Sequence, residues 1–312
     1  KTIDADADFF EIGGHSLLAI RLVSQLRNRF NVELPVGLVM ENATVTNIAE
    51  VIDQMLHSSQ DLIINNGTGE LLWLVEPREQ SLGPLICIHP ASGFSWQYAP
   101  IARRISEGFS GGVLALQSPD GQGALATCAD LRQVVNHYAR LLQEADINGP
   151  FRLMGYSLGG IIAIELAALL EERGEKVEFC GLLDTYPPEL QNWETDLTPE
   201  EVELERQELS RYLQDYEISE RIISNYDEAF RLMSQAASSP YQGEVDLFVA
   251  ELTVPAEFNV ENAWPSVGVS NVRIHQMSCS HVDVLDPAQK HFVEPVVANA
   301  FLSSLSKSVE SI

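Results

Sequence analysis

The stretch Phe151-Arg152-Leu153-Met154-Gly155-Tyr156-Ser157-Leu158-Gly159-Gly160 decides the fold. A short apolar strand ends in Gly-Tyr-Ser-Leu-Gly and runs directly into an apolar helical segment, Ile161 to Glu172. A serine with glycine at i−2 and i+2 between a strand and a helix sits in a strained turn that lifts its hydroxyl above the sheet. Neighbouring side chains would clash without glycine at both flanks. The helix start adds free N–H groups and the positive end of the helix dipole. A chain with 20 glycines offers chance matches to this pattern in glycine-rich loops. Here the strand before it and the helix after it favour a nucleophilic serine at position 157.

Working outward, strands and helices alternate from Glu70 onward, the pattern of a mostly parallel sheet. The strands expected are Leu71–Val75, Leu85–Ile88, Val113–Leu116, Val177–Leu183, Val245–Ala250 and Val272–Met277, besides the one before Ser157. Helices are expected over Ser95–Ile105 and Leu131–Ala145, and Gly174 stops the helix after Ser157. With the serine elbow, this alternation predicts an α/β-hydrolase fold. Between Asp184 and Val245 an insertion breaks the alternation. Thr198-Pro199-Glu200-Glu201 reads as a capping box with proline at the first helical position. Leu209, Tyr212, Leu213 and Tyr216 recur at helical spacing, and a second helical segment runs from Ser219 to Ala236. An apolar stripe of this kind needs a surface, so residues of about 187–240 are expected to form a lid over the site rather than a solvated decoration.

A serine hydroxyl is a weak nucleophile until a base takes its proton. The chain has 7 histidines. In α/β-hydrolases the order is nucleophile, acid, then histidine on the loop after the last strand. His281, in Ser278-Cys279-Ser280-His281-Val282-Asp283, has that position. His275 lies inside the last strand, His291 in the final helix, and His57 and His137 precede the serine. His89, next to Pro90, reads as a residue that orders its loop. The acid has two candidates, Asp184 and Glu251, each at the end of a strand in the right part of the chain, and spacing does not choose between them. An oxyanion hole needs two backbone N–H groups. Leu158, just after the nucleophile, supplies one, and Ala91, in the loop His89-Pro90-Ala91-Ser92-Gly93, supplies the other.

Residues 1–57 read as a separate small helical unit. Asp8-Phe9-Phe10-Glu11-Ile12-Gly13-Gly14-His15-Ser16-Leu17-Leu18 leads into a helix with Leu18, Leu22 and Leu26 one turn apart and Val23 and Phe30 alongside. Pro35 follows its end, and a further helix is expected near Val45 to Leu56, capped by Thr44 or Thr46. Ser16 sits at a helix start with Gly13-Gly14 leaving it open, a position that favours an attached phosphate. A plain helix cap is the blander reading of Ser16, and His15 reads as part of the surrounding surface. Residues 58–69, with Ser-Ser-Gln-Asp and Asn65-Asn66-Gly67-Thr68-Gly69, are polar and turn-rich, a short flexible linker to residues 70–312.

The 312 residues allow one sizeable core and a second small domain, and 45% apolar with 21% charged residues is ordinary for a soluble protein. No apolar run approaches the ~18–20 residues of a membrane span and no secretory leader is seen. Beginning at Lys1, the chain reads as a piece of a longer one. A net charge of −26 argues against nucleic acid or an anionic membrane as partner. The four cysteines, Cys87, Cys128, Cys180 and Cys279, are scattered, with no C-x-x-C, so neither a disulfide framework nor a metal site is expected and a reducing cytoplasm fits.

D-F-F-E-I-G-G-H-S-L-L (8–18) resembles the modification motif of peptidyl carrier proteins in nonribosomal peptide synthetases, a small four-helix all-α domain. The resemblance implies a 4′-phosphopantetheine on Ser16, added by a phosphopantetheinyl transferase. H-P-A-S-G-F-S-W-Q-Y (89–98), G-Y-S-L-G-G (155–160), L-L-D-T-Y-P-P-E-L-Q-N-W (182–193) and C-S-H-V-D (279–283) are similar to the type I thioesterase domains that end such synthetases, in particular those making siderophores. This implies a triad of Ser157, Asp184 and His281, with the acid settled on Asp184. It implies upstream condensation and adenylation domains of the same synthetase as partners. The substrate implied is an aryl-acylated aminoacyl thioester, 2,3-dihydroxybenzoyl-serine, three units of which leave as a cyclic trilactone. Hydrolytic release or editing by the same triad is an alternative, and a non-catalytic carrier-docking module is one of another class.

Overall fold

The computed structural model describes residues 4–9, 12, 16–30, 34, 38–57, 69–118, 123–190, 216–286 and 289–309. Three helices come first, α1 (Ser16–Phe30), α2 (Leu38–Glu41) and α3 (Val45–His57). Their core is Ala19, Val23, Leu34, Leu38, Val39, Ala43, Ile48 and Ile52. The buried line on α1 runs through Ala19 and Val23, with Leu22 and Leu26 packed beside it and Phe30 42% exposed. It is therefore turned one residue from the Leu18-Leu22-Leu26 stripe that spacing suggested. The smaller alanine faces the neighbouring helices because it lets them approach. The leading segment is tied back by Phe9 N–H to Ala43 O at 2.6 Å and Thr46 N–H to Ala5 O at 3.1 Å.

Beyond residue 69 lie β1 (Leu71–Val75), β2 (Leu85–Ile88), α4 (Ala99–Ser106), β3 (Val113–Leu116), α5 (Ala124–Thr127), α6 (Leu131–Glu144) and β4 (Phe151–Tyr156). Then follow α7 (Leu158–Glu172), β5 (Val177–Leu183), α8 (Tyr216–Ser234), β6 (Val245–Ala250), α9 (Val260–Ala263), β7 (Val272–Met277) and α10 (Lys290–Val309). The strands form one sheet in the order β1-β3-β2-β4-β5-β6-β7. Only β1 runs antiparallel, against β3. A parallel sheet is covered on both faces, which is why β2, β3 and β6 are buried at every residue and read as unbroken apolar runs.

One face packs Leu153, Leu158, Ile162 and Leu182 against Val134, Tyr138 and Leu142 of α6. The other packs Met154, Phe179 and Phe248 against Ile101 and Ile105 of α4 and Val297 and Phe301 of α10. Buried almost all the way round, α7 is apolar on every side rather than amphipathic. From β2 the chain passes through α4 to β3 on one side; from β4 it passes through α7 to β5 on the other. Neighbouring strands β2 and β4 thus leave their carboxyl ends in opposite directions, and α/β sheets place ligands in the crevice this opens.

The strand bounds match the sequence expectation. The helix expected from Ser95 begins as a short 3₁₀ turn, Trp96–Tyr98, feeding α4, and the helix after Ser157 begins at Leu158. Tyr98 explains the tight turn: its hydroxyl donates to Ile88 O and accepts from Tyr156 N–H, both at 2.8 Å, bridging β2 and β4 as they part. The second helix of the insertion is α8. The capping box at Thr198, together with Leu209, Tyr212 and Leu213, lies outside the described residues, as do Gly13, Gly14, His15, Pro35 and most of the linker. Cys87 and Cys180 are fully buried, and all four cysteines are free. Among the described residues no helix is long and apolar enough to cross a membrane, and no cluster of His, Cys, Asp or Glu could hold a metal ion.

Candidate active site

Ser157 stands between β4 and α7 with φ 55° and ψ −122°, a conformation side-chain-bearing residues rarely adopt. The glycines at both flanks explain how the turn closes. A Cβ on Gly155 would lie 2.0 Å from Gly159 O, and one on Gly159 would lie 2.3 Å from Ile88 O. The second contact also brings the first turn of α7 against the end of β2, where the loop bearing Ala91 begins. That loop is a turn closed by Gly93 N–H to Pro90 O at 2.9 Å, with Ala91 and Ser92 in its middle. The two backbone donors expected from sequence, Leu158 and Ala91, therefore belong to adjoining segments.

His281 and Asp184 meet across 97 residues of chain, His281 Nδ1 donating to Asp184 Oδ2 at 2.7 Å. Asp184 is 5% exposed and itself has φ 42°. Its other oxygen accepts from Ala250 N–H at 2.9 Å and the Tyr186 hydroxyl at 3.1 Å. Burial, then the Asp184 charge, push the Tyr186 phenol far above its ordinary value, so it stays a donor at any working pH. Glu251, the other acid that chain order allowed, accepts instead from the Ser278 hydroxyl at 2.7 Å and is exposed.

His281 is held from three sides. Its N–H donates to Thr253 Oγ1 at 2.9 Å, its carbonyl accepts from the Tyr156 hydroxyl at 2.7 Å, and its ring lies 4.8 Å from that of Tyr156. Tyr156 directly precedes Ser157, so the residue that clasps His281 is covalently next to the serine. The sequence reading did not single out Tyr156 or Tyr186, although both stand inside quoted motifs, one residue before the serine and two after the acid. Burial, the largest cause, raises the thiol of neighbouring Cys279 to about 11, which keeps it protonated.

The remaining histidines lie elsewhere. His89 is fully buried, with Nδ1 donating to Pro90 O at 2.8 Å and Nε2 accepting from the Tyr138 hydroxyl at 2.6 Å. Burial lowers it to about 4, so it is neutral and orders the loop, as its place beside Pro90 suggested. His275 bonds Asp246 at 2.7 Å and stacks on Phe248, His137 bonds Glu70 at 2.7 Å, and exposed His291 lies against Phe292. His57 closes α3, and His15 is outside the described residues.

Ser16 is the first residue of α1, and no acidic residue stands in that helix's first turn. A helix start without a carboxylate suits a serine-linked phosphate. A thioesterase domain family model matches residues 83–299, and a phosphopantetheine attachment site model matches residues 1–52. The chain is 40% identical over 301 residues to vanchrobactin synthetase VabF of Vibrio anguillarum, covering 92% of this chain and 10% of that protein. It is 38% identical over 305 residues to enterobactin synthase component F of Escherichia coli K12, covering 94% of this chain and 23% of that one. The chain thus spans between a tenth and a quarter of the length of these relatives. A four-domain holo nonribosomal peptide synthetase bound to AMP and glycine superposes with a TM-score of 0.62 at 19% identity, over 98% of this chain and 24% of that one.

Proposed function

Because the chain belongs to the thioesterase domain family, with a phosphopantetheine attachment domain ahead of it, we propose that it is the terminal carrier and thioesterase of a siderophore synthetase. The carrier would occupy residues 1–57 and the thioesterase residues 70–312, with a lid at about 187–240. The observation that carries this reading is the Asp184–His281 pair at 2.7 Å, clasped by the tyrosine that precedes Ser157.

A phosphopantetheine on Ser16 supplies an acyl group as a thioester. His281 takes the proton of Ser157 Oγ, which attacks the acyl carbonyl. The N–H groups of Leu158 and Ala91 stabilise the oxyanion, a contribution of about 10²–10³ in rate per donor. His281, now an imidazolium paired with Asp184, returns the proton to the leaving sulfur, and the acyl group remains as an ester on Ser157. Asp184 fixes the imidazole tautomer and orientation through Nδ1. In the second half-reaction His281 deprotonates the attacking oxygen. By likeness to enterobactin synthase component F, the acyl unit would be 2,3-dihydroxybenzoyl-serine, and the attacking oxygen the serine hydroxyl of another unit, ending in the cyclic trilactone. Well-oriented intramolecular attack reaches an effective molarity of ~10⁵ M or more, which lets a held hydroxyl outrun water at ~55 M. The upstream condensation and adenylation domains would load the carrier, and a phosphopantetheinyl transferase would prime it, in the cytoplasm.

Intact-mass spectrometry tests the assignment. Transferase and coenzyme A should add one phosphopantetheine, lost in Ser16→Ala. With the upstream synthetase, ATP, serine and 2,3-dihydroxybenzoate, the acyl adduct should move to Ser157 and the product should be the cyclic trimer. Linear monomer alone from the parent protein would replace the cyclising reading with hydrolytic release.

A further inference from the structure

The buried face of α8 reads Ile222, Asn225, Ala229 and Leu232, at spacings of three, four and three. Asn225 is the polar member of this apolar line and is 3% exposed. A buried carboxamide in an apolar stripe is costly unless its hydrogen bonds are met, so it needs a reason to be there. Its two N–H groups are both used: Nδ2 donates to Ser92 O at 2.9 Å and to Ser118 O at 3.1 Å.

Ser92 is the third residue of the Pro90–Gly93 turn, one position beyond Ala91. The turn is pinned at its far end by Ser118 N–H to Gly93 O at 2.7 Å. Gly93 has φ +80°, and a Cβ there would lie 2.2 Å from Asn225 Nδ2 and 2.6 Å from Ser118 O. Glycine at 93 thus lets the carboxamide reach both carbonyls. The rotation of the Ser92–Gly93 peptide sets the direction of the preceding Ala91 N–H, because a four-residue turn closed at both ends has little freedom left.

We propose that Asn225 is a positioning residue for the oxyanion hole: by holding Ser92 O and Ser118 O together it aims the Ala91 N–H at the reacting carbonyl. This rests on the reading of Ser157 as nucleophile and of Leu158 and Ala91 as oxyanion donors. It also makes α8 a fixed support for the chemistry, although it belongs to the stretch expected to act as a lid. Without the two N–H groups, two buried carbonyls face each other undonated. The turn relieves them by rotating, which swings the Ala91 N–H away. An ångström of misplacement costs about 10² in rate.

The test uses the full chain, a benzoyl-seryl N-acetylcysteamine thioester as substrate and phenylboronic acid as the probe that adds reversibly to Ser157 as a tetrahedral anion. Asn225→Ala should lower kcat about 10- to 100-fold with KM nearly unchanged, and weaken the boronate by a similar factor. Ser239→Ala is the control. It removes another anchor of the same region, the Ser239 hydroxyl to Glu165 bond at 2.6 Å, and should leave both quantities within about twofold. Should Asn225→Ala fail to fold, Asn225→Leu nearly keeps the shape, offers no donor and should show the same two losses. Retention of kcat and boronate affinity within about twofold in a folded Asn225 variant overturns the proposal, as does an equal loss in Ser239→Ala. Ser157→Ala separates the two levels: if it still turns over substrate, the nucleophile reading fails whatever Asn225 does.

Discussion

His89 sits in the loop of Ala91, the proposed oxyanion donor, and its burial makes that loop a pH-dependent element of stability. The imidazole is fully buried and lowered from 6.5 to about 4, by burial first and against the opposing hydrogen bond to Pro90 O. In this range the unfolded chain binds the extra proton and the folded one resists it, so stability rises with pH. The contribution is fully present above about pH 6.5 and is lost as pH falls toward about 4. A depression from 6.5 to about 4 corresponds to roughly 3 kcal/mol, of which about 2 kcal/mol is gone by about pH 5. Other groups titrate there too, so the measurement is a difference. Equilibrium urea unfolding of the parent and of His89→Gln would be compared at about pH 7 and about pH 5. The variant loses a well-made hydrogen bond and should be the less stable at neutral pH, by about 1–2 kcal/mol. It cannot charge, so its disadvantage should shrink by about 2 kcal/mol at about pH 5. Its turnover should survive within about tenfold, since the residue only orders the loop. A stability gap independent of pH would refute the account of a neutral, buried imidazole, and a collapse of turnover would refute the purely ordering role.

Asp184→Asn should lower turnover about 10²–10⁴-fold with the fold intact, because the imidazole loses its tautomer, while Glu251→Gln should change it little; steady-state kinetics of both variants decide. Tyr186→Phe leaves Asp184 Oδ1 with only the Ala250 N–H and should cut kcat roughly tenfold with KM unchanged, a smaller loss than Asp184→Asn gives. Burial alone would raise Asp246, yet the hydrogen bonds from His275 and Arg273 hold it below its ordinary value. Its stabilisation is therefore present above about pH 3.8 and lost on acidification below that, and Asp246→Asn should flatten this acid limb in thermal unfolding.

How far the sequence carried these conclusions differs from element to element. The parallel strands were legible because their burial on both faces leaves short apolar runs with turn residues between them. The elbow was legible because its glycines answer to contacts of 2.0 and 2.3 Å that no side chain survives. Chain order alone did not separate Asp184 from Glu251, since both close strands in permitted positions; the resemblance chose Asp184, and the fold brings that residue to His281. The helices α2, α5 and α9 are four residues each, about one turn, so no apolar position recurs to reveal them. Asn225 was hidden for another reason. A single polar residue in a helical pattern reads as its solvated side, and nothing local shows that two carbonyls from residues 92 and 118 wait opposite it.

The meeting of the two regions follows the same logic of small, specific contacts. The core of α1–α3 is continuous with Phe94, Trp96, Ala99 and Ile222, where α2 packs on the 3₁₀ turn and α4. On the proposed reading this is the seat of a carrier that must also leave to be reloaded. On that reading residues 58–69 are the tether, which would keep the two at effective concentrations in the millimolar range, so a seat of a few apolar side chains is enough to be occupied often. A larger one would hold the carrier too long, because each buried side chain of that size adds about 1.5–3 kcal/mol against departure. Ile222 in the seat and Asn225 at the Ala91 loop lie three residues apart on one face of α8, so on the proposed reading delivery and chemistry bear on the same turn of helix.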